Sequence, residues 1–301
     1  MKKLILTFAF AIMTVIGVQA QLLYKISGNG LTKPSYIIGT YHLAPVSFAD
    51  SIPALQDALN ACEQVYGELD MTNMQSMENM QKMQAAMMLP EGKTLSTLLS
   101  EDEMKRLNVV LKDLLGVDMS NPMIAQQLGK MSPIALHTQL SLLVFMKTHE
   151  GFNPQATFDG YFQQVAQQQG KAVGGLETMD FQIKTLYQGQ TLERQKELLM
   201  CLVDNMESVT TQAERLVKAF FSQDIVAVKT VMDEKDNNQC DYTPEEEDML
   251  INNRNANWVT LMPQIMTAKP TFFAVGAGHL PGEKGVLQLL KNAGYSIEGV
   301  K

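Results

Sequence analysis

Residues 272–281 read Phe-Phe-Ala-Val-Gly-Ala-Gly-His-Leu-Pro. Four apolar residues run into Gly276, Gly278 and His279 follow, and a helix-like pattern continues over 285–292. A short apolar run bounded by glycines reads as a buried strand that stops abruptly, which is where open α/β sheets place their ligands. The same figure stands at 36–43, Tyr-Ile-Ile-Gly-Thr-Tyr-His-Leu. In both copies a glycine precedes the histidine by three positions and leucine follows it. Glycine permits a tight turn and clears space beside an imidazole. His42 and His279, two of the four histidines in the chain, are therefore expected at the ends of two strands far apart in sequence, serving one site.

Outward from these two stretches, the pattern predicts a central sheet built from both chain ends with a large helical block between them, a mixed α/β fold. Short β-type runs at 22–27 and 35–39 form a hairpin or neighbouring strands around Gly28-Asn29-Gly30 and Pro34. A helix is expected over 52–62, then a strand at 64–70 that ends in carboxylates. Helices are expected over 74–88, 101–115, 122–128 and 133–147, with Asn121-Pro122 and Ser132-Pro133 as starts. After a short helix at 157–168, Lys171-Ala-Val-Gly-Gly-Leu-Glu177 reads as a strand. Helical patterns follow at 178–189 and 192–232, the second long enough to be bent or broken. Thr243-Pro244-Glu245-Glu246 is a strong helix start leading to Ile265. A last strand is expected at 295–300. No fixed-period repeat or low-complexity linker interrupts the chain, so 21–301 reads as one domain with a helical insertion over about 71–168.

The first twenty residues stand apart. Lys2 and Lys3 precede an apolar run that ends in Val18-Gln19-Ala20, the three-part pattern of a secretory signal peptide. Export to a periplasm or the exterior is the expectation, with no membrane span of sufficient length in the remainder. Without the two leader lysines the chain carries 22 basic and 32 acidic residues, a net charge of −10. That acidity argues against nucleic acid or anionic membrane as partners and leaves a peptide or small molecule. Of three cysteines, Cys62 reads as a small buried residue; an exported compartment permits a bridge between Cys201 and Cys240, a pairing that sequence alone does not establish.

Chemistry concentrates at strand ends. The strand expected over 64–70 ends Glu68-Leu69-Asp70, so both carboxylates point to one face, where one or both meet the histidines. Two imidazoles and a carboxylate are a common ligand set for a catalytic divalent metal, and the carboxylate can equally serve as base on its water. Glu177 closes another strand, with Gln182 a helical turn later. Arg254 shares a helix face with Leu250, Trp258 and Leu261, and a guanidinium on an apolar stripe needs an anionic partner. Asp159 sits at a helix start, where the backbone favours a carboxylate. Met71, Met74, Met77, Met80 and Met83 recur every third residue, with Met87 and Met88 beyond. Such thioethers either bind Cu(I) or form an adaptable helix that packs a core or lines a groove.

Taken together, Gly39-Thr40-Tyr41-His42, Glu68-Leu69-Asp70, Asp159-Gly160-Tyr161, Leu176-Glu177-Thr178 with Gln182, Arg254-Asn255-x-x-Trp258 and Val275-Gly276-Ala277-Gly278-His279-Leu280-Pro281-Gly282 resemble the TraB/GumN family, which includes PrgY and the TIKI proteases. The resemblance spans about 22–299. It implies an α/β domain whose two Gly-x-x-His elements and acidic residues form one site. It further implies a metal-dependent peptidase activity with His42 and His279 associated with the metal, Glu68 catalytic and Arg254 supporting. The Met-rich segment has no counterpart in that motif. The expectation is thus an exported hydrolase acting on peptide bonds through Mn, Co, Fe or Zn. His42, His279 and Glu68 would be ligands, with Asp70, Asp159, Glu177 and Gln182 in support. The alternative is a binding protein that sequesters a peptide or a small ligand such as haem.

Overall fold

The computed structural model describes residues 21–74, 76–149, 153 and 156–300; the signal-peptide reading of 1–20 lies outside them. Among the described residues six strands form one mixed sheet: β1 (Leu23–Gly28), β2 (Ser35–Thr40), β3 (Gln64–Gly67), β4 (Ala172–Gly175), β5 (Thr271–Gly276) and β6 (Tyr295–Gly299). Their order across the sheet is β4-β3-β5-β2-β1-β6. The first four in that order are mutually parallel, and β1 runs antiparallel to both β2 and β6. The sheet is therefore assembled from both chain ends, as the sequence predicts, and the strand over 271–276 is central.

β5 shows why. Thr271, Phe272, Phe273, Ala274 and Val275 are all buried, the near-continuous apolar run of a parallel strand covered on both faces. The helix Phe158–Gln168 covers one side, its Phe162 ring 5.2 Å from Phe272. The helix Asn253–Ala268 contributes Trp258, Met262 and Met266 to the same core. A second apolar cluster lies within the helical block. It joins Leu107 and Leu111 of the helix Glu101–Leu115 to Leu136 and Leu140 of Pro133–Thr148 and Leu199 of Leu192–Asp204.

Local signals set the boundaries. Ser100 with Glu103, and Thr243 with Glu246, form reciprocal capping boxes. Asn121 and Ser132 accept backbone N–H groups ahead of Pro122 and Pro133. The long segment after Leu192 is broken twice, into Leu192–Asp204, Met206–Phe221 and Ile225–Met232. The expected helix over 74–88 is shorter, with pieces at Met71–Met74 and Met77–Ala86. The helix that begins at Pro244 passes through a π-turn at Asp248–Asn252 before Asn253–Ala268. Past that turn the buried face runs through Arg254, Asn255, Trp258, Met262 and Met266, so Leu261, one residue before Met262, is 41% exposed and off the stripe expected for it. Cys201 and Cys240 are joined by a disulfide, and Cys62 is buried. No helix among the described residues is long and apolar enough to cross a membrane.

Candidate functional site

The four parallel strands end along one edge, with Thr40 paired to Gly276 and Gly67 to both Ala274 and Gly175. Each strand delivers a polar side chain just beyond its end: His42 after β2, Glu68 after β3, Glu177 after β4 and His279 after β5. This is the carboxyl edge of a parallel sheet, where such folds bind ligands. The glycines make the convergence possible. A Cβ on Gly276 would lie 3.2 Å from Glu68 Oε1 and 3.4 Å from His279 Cδ2, and one on Gly39 would press on Ala277 at 3.0 Å.

Arg254 is the hub. It is buried and donates from Nε to Glu177 Oε1 (2.8 Å) and from Nη2 to Glu177 Oε2 (2.9 Å) and Glu68 Oε2 (2.6 Å). Its Nη1 donates to Leu250 O and to His279 Nε2, each at 3.2 Å. Trp258 Nε1 donates to Glu177 Oε1 at 2.9 Å, so Glu177, with no exposed side-chain surface, accepts three hydrogen bonds. Glu68 accepts in addition from the Gly276 amide at 2.9 Å and from Gln182 Nε2 at 3.3 Å. Burial pushes the Glu68 carboxyl up, but the charges of His279, Arg254 and His42 and the Gly276 amide outweigh it and hold it at about 2.

The two histidines differ sharply. His279 is buried, its Nδ1 2.7 Å from Asn255 Oδ1. Asn255 Nδ2 donates to Lys284 O at 2.9 Å, which turns the amide oxygen toward the ring. The proton therefore sits on Nδ1, and the Nε2 lone pair faces Arg254 and Glu68 Oε1, the latter 3.9 Å away. Burial drives its pKa down to about 4, so the ring is neutral at pH 7. His42 is 71% exposed, its Nδ1 2.8 Å from Asp159 Oδ2. The adjacent Asp159 charge raises its pKa to about 9, so it is an imidazolium at pH 7. Thr40 donates to the other Asp159 oxygen and fixes that carboxylate. Tyr41, with its ring 5.4 Å from Phe220, anchors the turn and leaves His42 facing out.

Of the residues that the sequence singles out, Glu68, Glu177, Gln182, Arg254 and His279 thus share one network, and His42 with Asp159 forms a second pair within electrostatic reach of Glu68. Asp70 lies outside both. β3 ends at Gly67, so the alternation that would carry Asp70 to the face of Glu68 stops, and its Oδ1 caps Thr72 N at 2.9 Å instead. Asn255, Thr40 and the Gly276 amide, which the sequence presents only as members of the family motifs and with no role of their own, join the site. Asn255 carries a usable signal: asparagines at 252, 253, 255 and 257 are costly inside a helix unless they do something there.

For a divalent metal, two imidazoles and a carboxylate are right in kind. Yet among the described residues no set of three or more His, Cys, Asp and Glu side chains is arranged to hold an ion. The Arg254 guanidinium already lies against Glu68, Glu177 and His279 Nε2, so the residues as arranged do not fit one.

The chain is thus a mixed α/β protein with a charged network at the carboxyl edge of its parallel strands. Residues 22–299 match the TraB/PrgY/gumN family, and the chain belongs to it. The chain is 25% identical over 307 residues to the metalloprotease TIKI2 of Danio rerio, covering 88% of this chain and 58% of that protein. It is 25% identical over 319 residues to the metalloprotease TIKI homolog of Nematostella vectensis, covering 90% and 65%. The chain thus spans less than two thirds of the length of these relatives. No solved structure matches it significantly.

Proposed function

We propose that this chain is an exported hydrolase of peptide bonds whose working groups are Glu68 and His42. The observation that carries the reading is the opposed electrostatics of one edge: a carboxylate held ionised by Arg254 near an imidazolium held by Asp159. Groups whose pKa values are pushed apart divide the acid and base roles between them. Glu68 orients an attacking water and takes its proton, while His42 gives a proton to the leaving nitrogen. Arg254, Gln182 and the Gly276 amide hold Glu68 in place, and Asn255 keeps the Nε2 lone pair of His279 turned into the site. The names of the relatives support peptide bonds as the target and bring a divalent metal into the reading. Each proton transfer in this scheme nevertheless belongs to the chain's own side chains. The Cys201–Cys240 disulfide accords with an oxidising compartment, and with 1–20 as a leader ahead of one domain at 21–301.

The test is cleavage of a mixed peptide library, read by mass spectrometry, by the purified protein with and without added Mn, Co, Fe or Zn. Cleavage lost in Glu68→Gln and in His42→Ala supports the proposal; no cleavage under any of these conditions overturns it. One observation favours a second reading, ligand sequestration without turnover: a carboxylate held near pKa 2 is a weak base. Tight binding of an intact peptide or haem, unchanged in Glu68→Gln, would establish that instead.

A further inference from the structure

The methionines that the candidate site leaves unused line a cavity of about 390 Å3. Seven of them border it, among them Met80, Met83, Met87 and Met179, with the carboxamides of Asn79, Gln84 and Gln127 and no charged side chain. The helix Met77–Ala86, which supplies much of this wall, buries none of its residues fully, and Met80 is 49% exposed. These thioethers face an open concavity in place of a core. Unbranched thioether chains reshape around varied apolar groups, and carboxamides both donate and accept hydrogen bonds, as a peptide backbone requires. A charged ligand would meet no counter-charge here.

Two segments of the chain link the wall of the cavity to the candidate site. Glu68, Leu69 and Asp70 lead into the helix Met71–Met74, whose Met74 lines the cavity, and the Gln163 carboxamide fixes that path by bonding Leu69 O at 2.7 Å and Met71 N at 2.9 Å. The helix Met179–Tyr187 carries Met179 on the cavity and Gln182, three residues on, against Glu68. Side chains three apart share a helix face, so one element borders both.

We propose that this cavity receives an uncharged apolar side chain of a peptide whose backbone runs on to Glu68 and His42, which makes apolar peptides the substrate class. The proposal rests on the hydrolase reading for its function, not for its binding. A cavity of this size accommodates a leucine or phenylalanine side chain with flanking backbone.

The probe is a fluorescein-labelled peptide with a Leu-Phe-Leu core, beside a control with an Asp-Gly-Asp core. Both are titrated against the full-length protein carrying 13C-methyl methionine. Two double variants accompany it, Met83→Leu with Met87→Leu and Met83→Glu with Met87→Glu, each checked for an unchanged far-UV spectrum. The apolar peptide should bind the wild type and the leucine variant alike, and the glutamate variant at least about tenfold more weakly. It should shift the methyl signals of Met83 and Met87 and leave those of Met262 and Met266, in the sheet core, in place. Equal binding to the glutamate variant overturns the proposal. So does Ag(I) binding that the leucine variant loses, if no peptide binds, since that defines a soft-metal site. If peptides bind in the expected pattern and none is cleaved, the cavity stands and the hydrolase reading falls. If peptides are cleaved while binding ignores the introduced charges, the reverse holds.

Discussion

Arg254 and Glu177 meet through two parallel hydrogen bonds of 2.8 and 2.9 Å, with the Glu177 side chain wholly buried. The fork of a guanidinium matches a carboxylate in this way and an ammonium does not. The pair is the base on which the rest of the edge is built, because the same guanidinium reaches Glu68 and His279. Removing it would leave two carboxylates facing each other without a cation. Arg254→Ala is therefore expected to lower stability by about 3–5 kcal/mol, and Arg254→Lys to restore only part of that. Urea denaturation of the three proteins decides it; a loss within that of an ordinary surface substitution would show that the network carries no structural weight.

Stability should peak near pH 6.5. The pKa of His279 falls from 6.5 to about 4 on folding, so below 6.5 the unfolded chain binds the extra proton and stability drops as pH falls toward 4. Glu68, lowered from 4.5 to about 2, adds a further loss below 4.5. His42 is raised from 6.5 to about 9, so its contribution is full below 6.5 and is lost as pH rises through 9. Solvent screens this last pair, whose imidazole is 71% exposed, and its slope should be the shallowest. Melting temperature measured from pH 3 to 10 tests the order, with His279→Gln expected to flatten the 6.5–4 limb and Asp159→Asn the 6.5–9 limb.

Peptide hydrolysis should divide the roles of Glu68 and His42. Glu68→Gln should lower kcat by about 10²–10⁴, the usual worth of a positioned acid or base. With His42 as proton donor, kcat/KM should decline as pH rises past about 9. Asp159→Asn removes the charge that raises His42, and this limb should move toward 6.5. A profile whose alkaline limb stays put in Asp159→Asn would remove His42 from the donor role.

The disulfide ties the helix Leu192–Asp204 to the loop that precedes Thr243. Arg194 reinforces the same junction, donating to Gln239 O, Asp241 O and Glu246. Closing a loop with a sequence separation of 39 residues is worth about 4 kcal/mol by chain entropy. Cys201→Ser with Cys240→Ser should lose about that much, less whatever Arg194 retains, in a thermal or urea melt without reductant.

How much of the fold and the site is legible in the sequence depends on how local the signal is. Residues 272–275 announce a buried strand because every one of them is apolar, and the caps at Asn121, Ser132 and Thr243 announce helix starts because their partners lie within a turn. His42, Glu68, Glu177 and His279 are legible as strand-end residues, which the parallel sheet then brings to one edge. Partner choice is not legible in this way. That Arg254 serves Glu177 and Glu68, and that His42 pairs with the distant Asp159, follow from strand order, which no local pattern encodes. Asp70 departs from its expected place for a related reason: period-two alternation holds only while the strand lasts, and β3 stops at Gly67.

The remaining prediction concerns metal. A guanidinium in contact with Glu68, Glu177 and His279 Nε2 supplies the positive charge that these groups would otherwise seek from an ion. An ion arriving at that network must displace Arg254 from buried partners, at a cost set by their desolvation. Mn, Co, Fe or Zn should therefore bind the wild type weakly at these residues and Arg254→Ala more strongly, since the variant leaves the two carboxylates and the imidazole without their cation. Melting temperature with and without each ion reads the difference directly, because a ligand that binds only the folded state stabilises it according to its concentration relative to its Kd. A larger ion-induced rise in Arg254→Ala than in the wild type is the expected result. Near-stoichiometric metal in the purified wild type, lost in a His42→Ala/His279→Ala double variant, would show instead that the two histidines close on an ion and that Arg254 moves aside to admit it.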